Sequence, residues 1–258
     1  MTSSVRKGKA PVKQRLDTLL VARGLVESRE KARALILAGQ VDVGGHGAEK
    51  AGTMVPIDTD VKVIGPDHPW VSRGGIKLAF ALDTFQLSAA GAFVLDVGAS
   101  TGGFTDVWLH RGLRQVIALD VGHGQLHWQI RSDPRVTVIE HTNARYLKAG
   151  DLPETDAPIT RVSIDVSFIS LRHIFPVLPA LVAPGSELVA LVKPQFEAGR
   201  AEVGKGGLVK DPKVHDRVVR DVAAAAAEVG LTRVGLVESP ITGAHGNQEF
   251  LMHLRVQS

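Results

Sequence analysis

Residues 93–104, Phe-Val-Leu-Asp-Val-Gly-Ala-Ser-Thr-Gly-Gly-Phe, constrain this chain more than any other stretch. Phe93, Val94, Leu95 and Val97 are interrupted only by Asp96 and run straight into glycine. A short apolar run of that kind is the pattern of a strand buried on both faces, as in a parallel sheet. Gly98, Gly102 and Gly103 then allow a tight turn whose backbone comes very close to a ligand. Residues 105–111 suit a helix, so the turn sits at a helix N-terminus. That is the cradle a doubly wound fold offers to a nucleoside-bearing cofactor.

The glycine order D-V-G-A-S-T-G-G is not the G-x-G-x-x-G of a dinucleotide site. Asp96, two residues before the first glycine, suits a cofactor that carries a positively charged amino acid better than a pyrophosphate. Residues 115–120, Gln-Val-Ile-Ala-Leu-Asp, form a second strand ending in a carboxylate. Asp120 follows Asp96 at about the distance expected of an acid that grips ribose hydroxyls, roughly 20 residues. Together these features resemble the S-adenosylmethionine (SAM) site of Rossmann-like methyltransferases. The resemblance implies a cofactor set of Asp96, Gly98, Ala99, Ser100, Thr101, Gly102, Gly103, Phe104, Asp120, Val121, Asn143, Ala144 and Asp165, with the Asn143 carboxamide at the adenine edge.

Further strands are expected at 136–139, 161–166, 187–193, 231–237 and 249–256, with an amphipathic helix at 76–85 and an Ala-rich one at 211–229. Strand ends in a parallel sheet share one edge, so Asp96, Asp120, Asp165 and Lys193 should converge on one crevice. Residues 196–209 hold Gly199, Gly204, Gly206 and Gly207 with Arg200 and Lys205. Such a loop reads as too glycine-rich to be rigid and able to fold over substrate. His123 and His127 are four apart, but no glutamate stands between them and no third ligand is evident, so no metal is expected.

Charge is unevenly placed. Residues 1–33 hold nine Lys or Arg against Asp17, Glu27 and Glu30, a net of +6, while the rest of the chain holds 21 against 24, a net of −3. An anionic partner met by the N-terminal part, nucleic acid first, is the expectation. Residues 1–14 read as a disordered basic tail. A helix starting at Arg15 buries Leu16, Leu19 and Leu20 and stops at Gly24. Ser28 caps a second helix reaching Gly39, with Ala32, Leu35 and Ile36 inside. Short strands follow near Val41 and Val61. The order R-L-D-x-L-L-x-x-R-G-L, then S-R-x-x-A-x-x-L-I-x-x-G-x-V-x-V-x-G, closely resembles the S4 RNA-binding domain. That resemblance implies RNA contact through Arg15, Arg29, Lys31 and Arg33. The domain reading is therefore an S4-like unit at 15–64, a linker at 65–72 and a methyltransferase unit at 73–258.

Lys77, Asp165, Lys193 and Glu249 come from four separate elements beside the expected crevice. The set is similar to the Lys-Asp-Lys-Glu tetrad of FtsJ-type ribose 2′-O-methyltransferases. With the S4-like segment in front, the chain resembles the TlyA/hemolysin A family. The implied architecture is α/β: a Rossmann-like methyltransferase domain with a seven-stranded, mostly parallel sheet, preceded by a small α+β S4 domain. The implied activity is SAM-dependent 2′-O-methylation of cytidine in ribosomal RNA within ribosomal subunits, with the tetrad as catalytic residues. The chemistry agrees with the residue types: a ribose hydroxyl is a weak acid, and a desolvated lysine beside a second cation is a competent base. There are no cysteines, no run of about 18 apolar residues and no apolar leader, so a cytoplasmic protein without a membrane or disulfides is expected. Two alternatives stay open: a non-catalytic RNA-binding ribosome-assembly factor, and a haemolysin-type protein.

Overall fold

The computed structural model describes residues 12–37, 40–47, 50–64, 68–243 and 246–257. Most of the expected tail (1–11), the expected helix end at Gly39 and residues 65–67 of the expected linker lie outside these. The chain divides into two compact units, Met1–Pro69 and Trp70–Ser258.

In the first unit, strand β1 (Lys13–Arg15) leads into helix α1 (Leu16–Ala22), then α2 (Arg29–Leu37), β2 (Val41–Val43), β3 (His46–Gly47), β4 (Met54–Pro56) and β5 (Val61–Val63). Leu16, Leu19 and Leu20 of α1 and Ala32 and Ile36 of α2 are buried together with Val41, Val55 and Val61. Leu35 only packs against this core. The Ser28 hydroxyl accepts the Lys31 N–H at 3.1 Å, starting α2 as its sequence implies. Lys13 and Gln14 correct the reading of a tail through residue 14. They pair antiparallel with Pro56 and Val55, because the ribbon covers Val55 as it joins the core. Strands β2, β3 and β5 form a small antiparallel sheet in the order β3-β2-β5.

The second unit holds α3 (Gly74–Thr84), β6 (Phe93–Val97), α4 (Gly103–His110), β7 (Gln115–Leu119), α5 (Trp128–Arg131), β8 (Val136–Ile139), β9 (Arg161–Ile164), β10 (Glu187–Val192), α6 (Pro194–Glu197), α7 (Pro212–Glu228), β11 (Leu231–Glu238) and β12 (Phe250–Val256). The strands make one seven-stranded sheet in the order β11-β12-β10-β9-β6-β7-β8. All pairs are parallel except those of β12, which runs antiparallel to β10 and β11. Alternation along β6 sends Phe93, Leu95 and Val97 into one core layer with Phe175, Val218 and Val222. It sends Val94 into the other layer, with Leu78 and Leu82 of α3 and Trp108 of α4. Asp96 lies on this second face.

Candidate active site

Strand β6 has β7 on one side and β9 on the other, so the chain leaves this edge in opposite directions and a crevice opens there. The Asp165 N–H donates to the Val97 carbonyl at 2.9 Å, joining the two strand ends. Gly98 has φ +84°, and a Cβ on it would stand 2.5 Å from the Asp165 carbonyl oxygen. Only glycine lets the turn and the strand end approach so closely. A cavity of about 1040 Å³ opens at this point.

Of the expected cofactor residues, Gly98, Ser100, Asp120, Val121, Asn143, Ala144 and Asp165 line the cavity. The Asp120 carboxylate accepts the Ser100 N–H at 2.8 Å and the Gly122 N–H at 2.7 Å, which fixes it beside the glycine turn. The Asn143 side-chain oxygen accepts the Arg145 N–H at 3.0 Å. The other six expected residues do not line the cavity. Asp96 is fully buried and its two oxygens accept the Thr105 and Ser163 hydroxyls, each at 2.6 Å. Ser163 in turn accepts the Trp108 indole N–H at 2.9 Å. Asp96 therefore fastens α4 and β9 beneath the turn rather than facing a ligand. Burial, opposed by those two hydroxyls, pushes its pKa up to about 6. Helix α4 starts two residues earlier than expected. Gly102, at φ +95°, ends the turn, and Gly103 and Phe104 are already helical. Gly103 packs where a Cβ would meet the Ser72 hydroxyl at 2.2 Å, and Phe104 is core. Ala99 is buried against a small adjoining hollow that shares Ser100, Asp120 and Gln125 with the cavity, Gly102 faces Leu126 and Ile130, and Thr101 is exposed but not on the lining.

Register explains how three of the four expected catalytic residues share one strand end. Val192 pairs with Phe250 and Ala190 with Ile164, so Lys193, Glu249 and Asp165 stand at one end of three adjacent strands. The Lys193 ammonium contacts Asp165 Oδ1 at 2.6 Å and donates to the Ser167 hydroxyl at 3.0 Å. Lys77, near the start of α3, is buried and donates directly to Glu249. Gly243 makes room for that pair, since a Cβ on it would collide with the Glu249 carboxylate. Two lysines and two carboxylates thus form two ion pairs, and of the four residues Asp165 lines the cavity.

Several residues at the site go beyond what the sequence signals. Phe168 has φ +64° and is 91% exposed on the cavity lining, with the Phe196 ring centroid 5.1 Å away. An exposed phenylalanine held in a left-handed conformation is a site feature rather than a packing one. Its context, Ser-Phe-Ile-Ser just after Asp165, gives no sign in sequence that the ring is exposed. Glu197 holds this segment in place by accepting the Ser170 hydroxyl at 2.6 Å and the Leu171 N–H at 2.8 Å. Burial raises its pKa against those bonds. The glycine-rich loop is not simply loose. Asn247 accepts the Val209 N–H at 3.0 Å and donates to the Gly207 carbonyl at 2.8 Å, and His215 meets the Val209 carbonyl at 2.9 Å.

The four expected RNA contacts all lie on the first unit and are exposed. Arg15 and Arg29 meet at one carboxylate, Asp17. Arg33 stands one helical turn from Arg29, whereas Lys31 points about 200° around α2 from Arg29.

Two family descriptions match the chain: "FtsJ-like methyltransferase" over residues 70–256 and "S4 domain" over residues 14–61. The chain is 46% identical to the 16S/23S rRNA (cytidine-2'-O)-methyltransferase TlyA of Mycobacterium tuberculosis, across 95% of this chain and 90% of that one. The chain belongs to the TlyA family. Identity to YqxC of Bacillus subtilis is 50%, over 94% of this chain and 85% of the relative. A solved structure from Streptococcus thermophilus, which carries a hemolysin name, superposes with a TM-score of 0.76 at 44% identity, covering 96% of this chain and 90% of that one.

The residues of this TlyA-family cavity fit SAM on their own chemistry. Asp120 places a carboxylate at the end of β7 on the lining and Asn143 a carboxamide, groups of the kind that a ribose diol and an adenine edge can pair with. The close packing at Gly98 leaves backbone, not side chain, against the ligand space. Among the described residues no helix is long and apolar enough to cross a membrane.

Proposed function

We propose that the chain is a SAM-dependent ribosomal RNA methyltransferase acting on the 2′-hydroxyl of cytidine, with the first unit docking on RNA. One observation supports the reading: Lys193 pairs with Asp165, which lines the cavity, while Lys77 pairs with Glu249, and Lys193, Asp165 and Glu249 end three adjacent strands on the same side. When bound, SAM supplies an activated methyl group on a sulfonium. Gly98, Ser100, Asp120, Val121, Asn143 and Ala144 would hold it. Lys193, held in place by Asp165, is the group that takes the proton of the 2′-hydroxyl. Glu249 holds Lys77 in place, and Lys77 serves as a second cation for the oxygen as negative charge builds on it. The exposed Phe168 ring offers an apolar face to a base drawn out of its stack. The M. tuberculosis relative, named for this reaction, and the S4 match support the substrate class.

The test uses tritiated SAM with purified ribosomal subunits. Wild type should label the RNA of at least one subunit. Lys193→Ala should lose roughly 10²- to 10⁴-fold in rate, the usual contribution of a positioned base. Equal labelling by the variant removes Lys193 from the chemistry. Binding of both proteins to subunits with no label from either moves the assembly-factor reading forward.

A further inference from the structure

We propose that Asp17 is a positioning residue that sets Arg15 and Arg29 as one two-armed fork for the phosphates of RNA. This rests on reading the first unit as an RNA-binding module. Asp17 has 0% of its surface exposed, yet its carboxylate is crowded with donors. Its Oδ1 accepts Arg15 Nε at 3.0 Å and the Thr18 N–H at 2.9 Å. Its Oδ2 accepts Arg15 Nη2 at 2.8 Å and Arg29 Nη2 at 3.2 Å. The Arg15 hydrogen bond, outweighing burial and joined by that of Arg29, holds the carboxyl well below the usual carboxylate range.

The arginines are different. Their side chains are 49% and 55% exposed. Each guanidinium has five N–H donors in a rigid plane. Arg15 commits one edge to Asp17 and Arg29 a single nitrogen, so most donors of both remain for another acceptor. Two cations on one anion leave the cluster with a net positive charge. Period two along β1 puts Lys13 on the same side as Arg15, and both are exposed. Gly52 packs closely against the fork, since a Cβ there would stand 3.2 Å from Arg15 Nη1.

A buried ion pair is weak evidence of stabilisation, because an apolar residue packs two helices at least as well. What the arrangement supplies is orientation. Arginines locked by a carboxylate lose less side-chain freedom when they grip a phosphate, and a planar fork suits phosphate oxygens two at a time. The partner that fits is a phosphodiester backbone.

Arg15→Lys and Arg29→Lys are the deciding variants because they keep charge and remove the fork. Each should weaken binding of the full chain to purified ribosomal subunits roughly 5- to 10-fold. The slope of log affinity against log salt should stay unchanged, since the number of cations is the same. Asp17→Asn should also weaken binding although it adds net positive charge. Tighter binding by Asp17→Asn, or wild-type affinity in both lysine variants, overturns the proposal and makes Asp17 a structural counterion. If Asp17→Asn loses helix content, the two lysine variants alone carry the test. Absence of binding by the unaltered chain overturns the RNA-binding reading together with the proposal, whereas normal binding by all variants overturns only the role of Asp17.

Discussion

At Asp96 a carboxylate is held by two hydroxyls with no exposed surface, and its pKa rises to about 6. The unfolded value is near 3.9, so the folded chain binds this proton more tightly than the unfolded one. The contribution to stability is therefore greatest below about pH 4 and is lost as pH rises through about 6. The cost once ionised is about 3 kcal/mol. Asp96→Asn has no charge to bury, and its amide can sit between Thr105 and Ser163 with the NH₂ toward Thr105. Urea unfolding of both proteins at pH 4.5 and pH 7.5 isolates the effect, because all other groups are common to the two. The stability of the variant relative to wild type should rise between those pH values by up to that amount. A difference that stays constant with pH would show that Asp96 titrates normally. Sequence alone does not reveal this role. Alternation along β6 gives two faces, but only the arrival of Thr105 and Trp108 on α4 shows which face carries Asp96 and that the face is dry.

At the scale of elements, the glycine turn between β6 and α4 is where fold and site coincide. Gly98 and Gly112 have similar left-handed φ, +84° and +78°, but a Cβ on Gly98 meets the Asp165 backbone while one on Gly112 meets nothing within 4 Å. Gly112→Ala should cost only the conformational strain, about 1 kcal/mol. Gly98→Ala should cost clearly more, about 2–4 kcal/mol, because two strand ends must part. Thermal unfolding of the two variants measures the difference, and calorimetry with SAM should show weakened binding for Gly98→Ala only. Equal destabilisation would mean that the switch point yields easily. Helices with caps and long apolar strands are legible in the sequence: Ser28 starts α2, and β6, β7 and β10 are near-continuous apolar runs. Strands β1 and β4 are not, because Lys-Gln-Arg and Met-Val-Pro lack the Val-x-Val alternation that marks β2 and β5, and only cross-strand pairing defines them. Gly103 and Phe104 read as part of the turn because glycine is a poor helix former, yet Gly102 alone makes the break.

The whole molecule pairs a strongly basic N-terminal part with a slightly acidic remainder, +6 against −3, and this division is legible because charge needs no folded geometry to be counted. Phe168 is invisible in sequence for the opposite reason, since only the fold exposes a phenylalanine that composition would bury. If the first unit supplies docking and the second chemistry, their losses separate in steady-state kinetics. Arg33 is exposed and lies one turn beyond Arg29 in the first unit, whereas Lys77, Asp165, Lys193 and Glu249 belong to the second. Arg33→Gln should raise KM for ribosomal subunits several-fold, flatten the salt dependence of binding by about one counterion and leave kcat unchanged, since a phosphate contact made equally in ground and transition state is uniform binding. Glu249→Gln should do the reverse. It keeps the shape of the pair with Lys77 but removes the charge, so kcat falls at least tenfold while KM for the subunits moves little. Initial rates against subunit concentration at two salt concentrations read both variants. A fall in kcat for Arg33→Gln, with Glu249→Gln raising only KM, would invert the assignment and place the chemistry's limiting step in RNA docking, because only an interaction that strengthens on the way to the transition state moves kcat.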